Sequence, residues 1–150
     1  MGISKIVIRV YGIWTNDDNH VLLCDEYHQG EFFTKFPGGG LELGESVTDC
    51  LKREWKEELG VEIEILQHFY TTDFFQQSAF DDCSQILSIY YLVKPTTEVP
   101  AEISTAKENE LTIRKLGQTF RWIKGADLDE SDVTYPIDRK VAAMLKKTLL

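Results

Sequence analysis

The apolar positions fall into short alternating runs broken by one long helical stretch. Ile6, Ile8 and Val10 alternate with Val7, Arg9 and Tyr11. Apolar residues on both sides predict a well-buried strand. Asn16-Asp17-Asp18-Asn19 carries turn chemistry, and residues 21–24 predict a second strand, paired with the first as a hairpin. Residues 25–31 are polar and predict a loop. Residues 32–36 predict a short strand that stops at Pro37 and a glycine run. Val61, Ile63 and Ile65 alternate with Glu62 and Glu64, the pattern of a strand with one wet face. Residues 86–93 predict a further buried strand and residues 120–123 a short one containing Trp122.

Two segments repeat at the helical period. Ser46 is a good N-cap, with Asp49 three residues on as a weaker capping-box partner, and Gly60 suits the C′ position. Between them Val47, Leu51, Trp55 and Leu59 form an i, i+4 ladder flanked by Cys50, with Asp49, Lys52 and Lys56 on the opposite side. From Pro136, Ile137, Val141, Leu145 and Leu149 make a second stripe with Met144 beside it, and Lys146 and Lys147 lie where the helix dipole favours cations. Residues 95–117 show no strong periodicity and carry Glu98, Glu102, Glu108 and Glu110. A loop of that length in a compact domain is usually functional or mobile. The pattern alone predicts a mixed sheet covered by helices.

Composition narrows the partners. The chain has 150 residues, 43% of them apolar, enough for one domain with a core over residues 1–150. A net charge of −9 argues against a nucleic-acid polymer, which needs a basic footprint. It leaves room for a small phosphorylated substrate, because a bound metal inverts the local charge. Cys24, Cys50 and Cys83 match neither a metal signature nor a disulfide framework. With no membrane span and no signal-peptide core, the expectation is a soluble, cytoplasmic protein with reduced thiols.

The helix wheel then raises a chemical question. Glu54 and Glu58 project within the arc of the apolar stripe, and Glu57 lies at its edge. Like charges at i, i+4 destabilise a helix even when exposed, and partly buried carboxylates repel unless one is protonated. A divalent cation removes the conflict. Magnesium and manganese prefer oxygen ligands, and magnesium is usually held by a few carboxylates with water and substrate phosphates. The preceding glycines let backbone approach a ligand closely. On strand 32–36, Phe33 and Lys35 share one side and are candidate substrate contacts. Lys35 would meet phosphate, with a solvated lysine as the plain alternative. Phe75, in the aromatic segment 71–84, is a candidate for stacking on a base, with core packing as its alternative.

Residues 39–61 resemble the Nudix box of the MutT/Nudix hydrolases, Gly-x5-Glu-x7-Arg-Glu-U-x-Glu-Glu-x-Gly-U, where U is a bulky aliphatic residue. Gly39, Glu45, Arg53, Glu54, Glu57, Glu58, Gly60 and Val61 fall in register. Trp55 occupies a U position as an apolar packing variant. The resemblance implies an α/β (α+β) fold, an α/β/α Nudix sandwich with a mixed central sheet and a loop-helix-loop metal site. It implies hydrolysis of a phosphoanhydride bond in a nucleoside diphosphate linked to another moiety, with Mg2+ or Mn2+ as cofactor. The Gly39 carbonyl and the carboxylates of Glu54, Glu57 and Glu58 are then the metal ligands. Glu54 or Glu57 would orient the attacking water, or else a glutamate ahead of the late strand, Glu110 or Glu108. Arg53, partnered by Glu45, would hold the box carboxylates in position.

Intact box glutamates favour an enzyme over a non-catalytic nucleotide- or sugar-binding module of the same fold. Gln76 and Gln77 stand where ADP-ribose hydrolases of this kind carry a proline, and Ser78 and Ala79 where diadenosine polyphosphate hydrolases carry a tyrosine. These absences lean toward a nucleoside triphosphate or a nucleotide sugar. Family members are often homodimers, but no interface is legible here.

Overall fold

A computed structural model describes residues 2–148. These fall into two compact units: one ends at Ile13 and resumes over Pro37–Val99, and the other comprises Trp14–Phe36 and the residues from Pro100 onward. The fold is mixed α+β, with a four-stranded mixed sheet in the first unit and a three-stranded antiparallel sheet in the second. No helix among the described residues is long and apolar enough to cross a membrane.

In the first unit β1 (Lys5–Ile13) is the organising strand. It pairs in parallel with β6 (Ser84–Pro95) from Lys5 to Ile13 and antiparallel with the three-residue β4 (Gly38–Gly40). β5 (Ile63–Thr71) closes the far edge against β6, with register shifts between Ile65 and Gln67 and between His68 and Tyr70. Apolar residues on both faces of β1 reflect this central place. Helix α1 (Val47–Leu59) buries Cys50, Leu51, Trp55 and Leu59, the stripe that the sequence period marks. Trp55 is fully buried and lies on Gly12, such that a Cβ at Gly12 would sit 2.7 Å from its Nε1. Gly12 is the seat that admits a tryptophan at this position. The indole N–H has no hydrogen-bond partner there.

In the second unit β2 (His20–His28) lies between β3 (Glu31–Lys35) and β7 (Gln118–Lys124). Two expectations fail here. The hairpin between the first two strands is confined to a short stub, with Thr15 bridged to Val21 and Leu22 N–H donating to Trp14 O. Beyond it β1 and β2 join different sheets, because β1 takes β4 and β6 as its neighbours. Residues 25–28 also continue the strand instead of looping. Asp25 is buried and accepts from Thr34 Oγ1 (2.5 Å) and Arg121 Nε (2.7 Å), so its charge is satisfied within the sheet. The reversal falls at Gln29 and Gly30, both with positive φ, as a tight hairpin turn requires.

The aperiodic stretch from 95 to 117 hides a helix, α2 (Glu110–Leu116), capped by Asn109 and ending at Gly117. It buries only Ile113, too little apolar repeat to show in sequence. Helix α3 (Pro136–Thr148) starts at Pro136 as expected and buries Ile137, Val141 and Leu145. Leu149, the last member of the predicted stripe, lies outside the described residues.

The Gly12–Trp55 contact yields a prediction. Gly12→Ala lowers stability by about 1–3 kcal/mol through overpacking, read from urea unfolding, and costs much less when introduced into the Trp55→Leu variant. Two losses that simply add would show that the residues do not compete for one space.

Candidate active site

β4 consists of three glycines, and each face of it meets something specific. Leu41 N–H donates to Ile8 O (2.9 Å) and Gly12 N–H to Pro37 O (2.8 Å) at the two ends of the ladder. Antiparallel alternation then makes Val10 and Gly39 the hydrogen-bonded pair, and turns the peptide groups of Gly38 and Gly40 away from β1. A Cβ at Gly39 would lie 2.4 Å from the Glu54 carboxylate, and one at Gly38 would lie 2.0 Å from Val10 O and 2.9 Å from the Tyr11 ring. Only glycine lets Glu54 come down on the backbone from one face and Tyr11 from the other.

Helix α1 begins where the chain dictates. Ser46 Oγ accepts from Asp49 N–H (3.1 Å), and Gly60 closes the helix in the left-handed region, its N–H donating to Lys56 O (2.9 Å). This fixes the rotation of α1. Glu54 is largely buried (14% side-chain exposure), while Glu57 is largely exposed (59%). Glu58 is half-buried with Oε2 shielded from solvent.

Arg53 gathers the site. Its Nε and Nη2 donate to the two oxygens of Glu45 (2.9 and 2.7 Å), a bidentate pair. Nη1 donates to Glu54 Oε1 (2.9 Å) and Glu57 Oε2 (3.2 Å), and Nη2 also reaches Gly40 O (3.2 Å). Glu45 is steadied in turn by Glu42 N–H (2.9 Å). These bonds from Arg53, then the Glu42 amide, hold the Glu45 carboxyl down at about 2. The same pairing raises the Arg53 guanidinium above its usual value. Cys50, fully buried, donates to the Gly40 carbonyl at 3.5 Å. Burial first, then the Glu45 carboxylate, pushes its thiol up to about 12.

On the opposite face of β4, Arg9 Nε donates to Tyr11 Oη (2.6 Å) and its guanidinium lies 5.6 Å from the Tyr11 ring centroid. Tyr11 stacks on the buried Tyr90 at 5.2 Å.

The structure therefore brings together Gly39, Glu45, Arg53, Glu54 and Glu57, with Glu58 one turn beyond Glu54 on the same helix. Phe75 is exposed (62%) in the connection between β5 and β6 of this unit. Lys35, Phe33 and Glu110 belong to the other unit. Lys35 is not solvated: it is buried and ion-paired to Glu26 at 3.1 Å. Phe33 is buried with its ring 5.3 Å from Tyr135. Glu110 opens α2 and is exposed. Sequence reasoning missed the Gly40 carbonyl, Cys50 and the Arg9–Tyr11 pair. Cys50 could have been found from its i, i+3 spacing to Arg53, and Gly40 from the strand alternation once β4 was known.

Among the described residues no three histidine, cysteine or acidic side chains converge as a ready cation site. Arg53 stands between the carboxylates instead. The donor set nevertheless suits a hard divalent ion. Glu45, Glu54 and Glu57 set three negative charges against the one of Arg53, leaving two uncompensated. The bare β4 backbone lies directly against Glu54.

Comparison with known proteins agrees with this arrangement. The model of the NUDIX domain matches residues 5–145. The nucleoside triphosphatase NudI of Escherichia fergusonii is 31% identical over 100 residues, and that of Escherichia coli strain SE11 27% over 99 residues. Each match covers 64% of this chain and 64% of the relative, so the likeness spans less than two thirds of those proteins. Among solved structures, a MutT from a study of the Aliivibrio salmonicida and Vibrio cholerae enzymes superposes with a TM-score of 0.68 at 24% identity, covering 97% of this chain and 100% of that one. The E. coli ORF135 protein gives 0.68 at 20% identity, covering 96% and 92%. At those identities the structures speak for the fold alone. The family model spans nearly the whole chain and its box residues are the ones that surround Arg53, so this chain belongs to the Nudix family.

Proposed function

We propose that this chain is a metal-dependent pyrophosphohydrolase that cleaves a phosphoanhydride bond in a nucleoside triphosphate, with a nucleotide sugar as the second substrate class. One observation carries the reading: Arg53 holds Glu45, Glu54 and Glu57 at the edge of a strand without side chains. The NudI relatives, which are named nucleoside triphosphatases, support the choice of a triphosphate. Reduced thiols, with no disulfide among the three cysteines, fit a cytoplasmic setting.

Glu54, Glu57 and Glu58 are the residues that would hold Mg2+ or Mn2+, together with a backbone carbonyl of β4. The Gly39 carbonyl faces β1 in the ladder and has its second lone pair left, while those of Gly38 and Gly40 turn outward. A divalent ion bound there supplies neutralisation of the charge that develops on the phosphate oxygens. The protein supplies position. Glu54 is fixed by burial and by Arg53, and suits a ligand that must not move. Glu57 is exposed and bound by one longer contact (3.2 Å), so it is free to turn and orient or deprotonate water. Glu110 remains the proposed alternative base, and Lys35, Phe33 and Phe75 the proposed substrate contacts. Of these, Phe75 offers an open ring face for stacking. Glu45 and Arg53 act through the carboxylates that they hold.

Three outcomes test this reading. Across a panel of nucleoside triphosphates and nucleotide sugars, the protein releases pyrophosphate or nucleoside monophosphate only with magnesium or manganese present. In that same panel Glu57→Gln, as the control, lowers kcat/KM by about 100-fold or more. Tight nucleotide binding with no turnover of any substrate would identify a binding module instead. Arg53→Ala lowers activity about 10- to 100-fold while the urea midpoint moves little, and equal loss of both would defeat the positioning role. The third outcome follows from Glu45. Its folded pKa of about 2 lies below the ordinary glutamate value of 4.5, so its contribution to stability is full above pH 4.5 and is lost as the pH falls toward 2. Acid unfolding of Glu45→Gln lacks that component, which a pH series of urea midpoints reads directly.

A further inference from the structure

The Nudix box accounts for one face of β4 but leaves the other unexplained. On that other face stands Arg9, half-buried on the central strand and opposite Gly40. A partly desolvated guanidinium on a sheet face is unfavourable unless its environment is built for it. Here it is built. Tyr11 accepts from Nε at 2.6 Å and places its ring beneath the cation, and Tyr11 is itself immobilised by stacking on Tyr90. Nη1 lies on the β4 side, where an added Cβ at Gly40 would stand 3.8 Å from it. Arg9 and Gly40 form a non-hydrogen-bonded antiparallel pair, in which Cα atoms stand only about 4.5 Å apart. Gly40 is also the residue whose carbonyl Arg53 grips from the far side.

The strand between them has no side chains to block a ligand, and the chain carries a net charge of −9. A polyanion approaching the acidic face is repelled, so an oriented cation on the same strand has a clear use. We propose that Arg9 is a substrate-binding residue whose terminal guanidinium nitrogens take phosphate oxygens of the nucleoside triphosphate at the edge of β4. Tyr11 is the positioning residue that aims it. The proposal rests on the triphosphate reading given above. A planar guanidinium matches a phosphate bidentately, which lysine cannot do.

The test is calorimetric binding of two probes to the full chain with magnesium: inorganic tripolyphosphate and a non-hydrolysable nucleoside triphosphate. Arg9→Ala weakens both about 10- to 100-fold, the range for charge-assisted hydrogen bonds, and raises KM for the hydrolysed substrate by a similar factor. Arg9→Lys keeps the charge and loses the fork, so it weakens both probes by a smaller factor. Tyr11→Phe keeps the ring and loses the hydroxyl, and it too weakens both. Mn2+ affinity without nucleotide stays at the wild-type value in all three. If Arg9→Ala does not fold, Arg9→Lys and Tyr11→Phe decide alone. Binding of both probes within twofold of wild type in folded variants overturns the assignment and leaves the triphosphatase reading standing. Weakening of the nucleotide but not of tripolyphosphate also overturns it, by moving Arg9 to the nucleoside moiety. Wild-type protein that binds neither probe removes both readings together.

Discussion

A single guanidinium holds the acidic site of this protein together. Arg53 spends its donors on Glu45, Glu54, Glu57 and the Gly40 carbonyl. Three carboxylates gathered on one site repel one another. The arginine offsets that repulsion by standing among them. The bidentate pair with Glu45 is the fixed half of the hub. The bonds to Glu54 and Glu57 are single contacts, both made by Nη1.

The hub works only because α1 can approach the sheet. Gly39 removes the side chain that would collide with Glu54, and Gly12 removes the one that would collide with Trp55. Both glycines lie on the sheet and both serve the helix. The approach is secured along α1 by the N-cap at Ser46 and the left-handed Gly60, which together set the rotation that buries Glu54 and leaves Glu57 in solvent.

What could be read from sequence was local. The boundaries of α1, its buried stripe and the inward lean of Glu54 and Glu58 follow from a 3.6-residue period and two cap residues. The box spacing is equally local, and it placed Arg53 beside Glu45 correctly. What could not be read depends on partners far along the chain. Residues 25–28 look like loop until Arg121, 96 positions from Asp25, neutralises the aspartate within the sheet. Lys35 reads as a phosphate contact or a solvated lysine, and its ion pair with Glu26 across the hairpin is not visible in sequence. β1 and β2 look like a hairpin because adjacent strands often pair, yet β1 is claimed by β6 from the other half of the chain. Helix α2 leaves no mark in the sequence because it buries one residue and has no stripe to display.

The fit of Trp55 on Gly12 has an evolutionary meaning. A catalytic box is easily imagined as a cassette, transferable between relatives because its charged residues are invariant in spacing. Here the cassette carries an indole whose receptacle lies in β1, 43 positions upstream of it. Exchange of the box with a relative that has a side chain at the position of Gly12 would deliver every charged residue and fail to seat the helix that bears them. The two positions therefore constrain each other, and that constraint reaches outside the box.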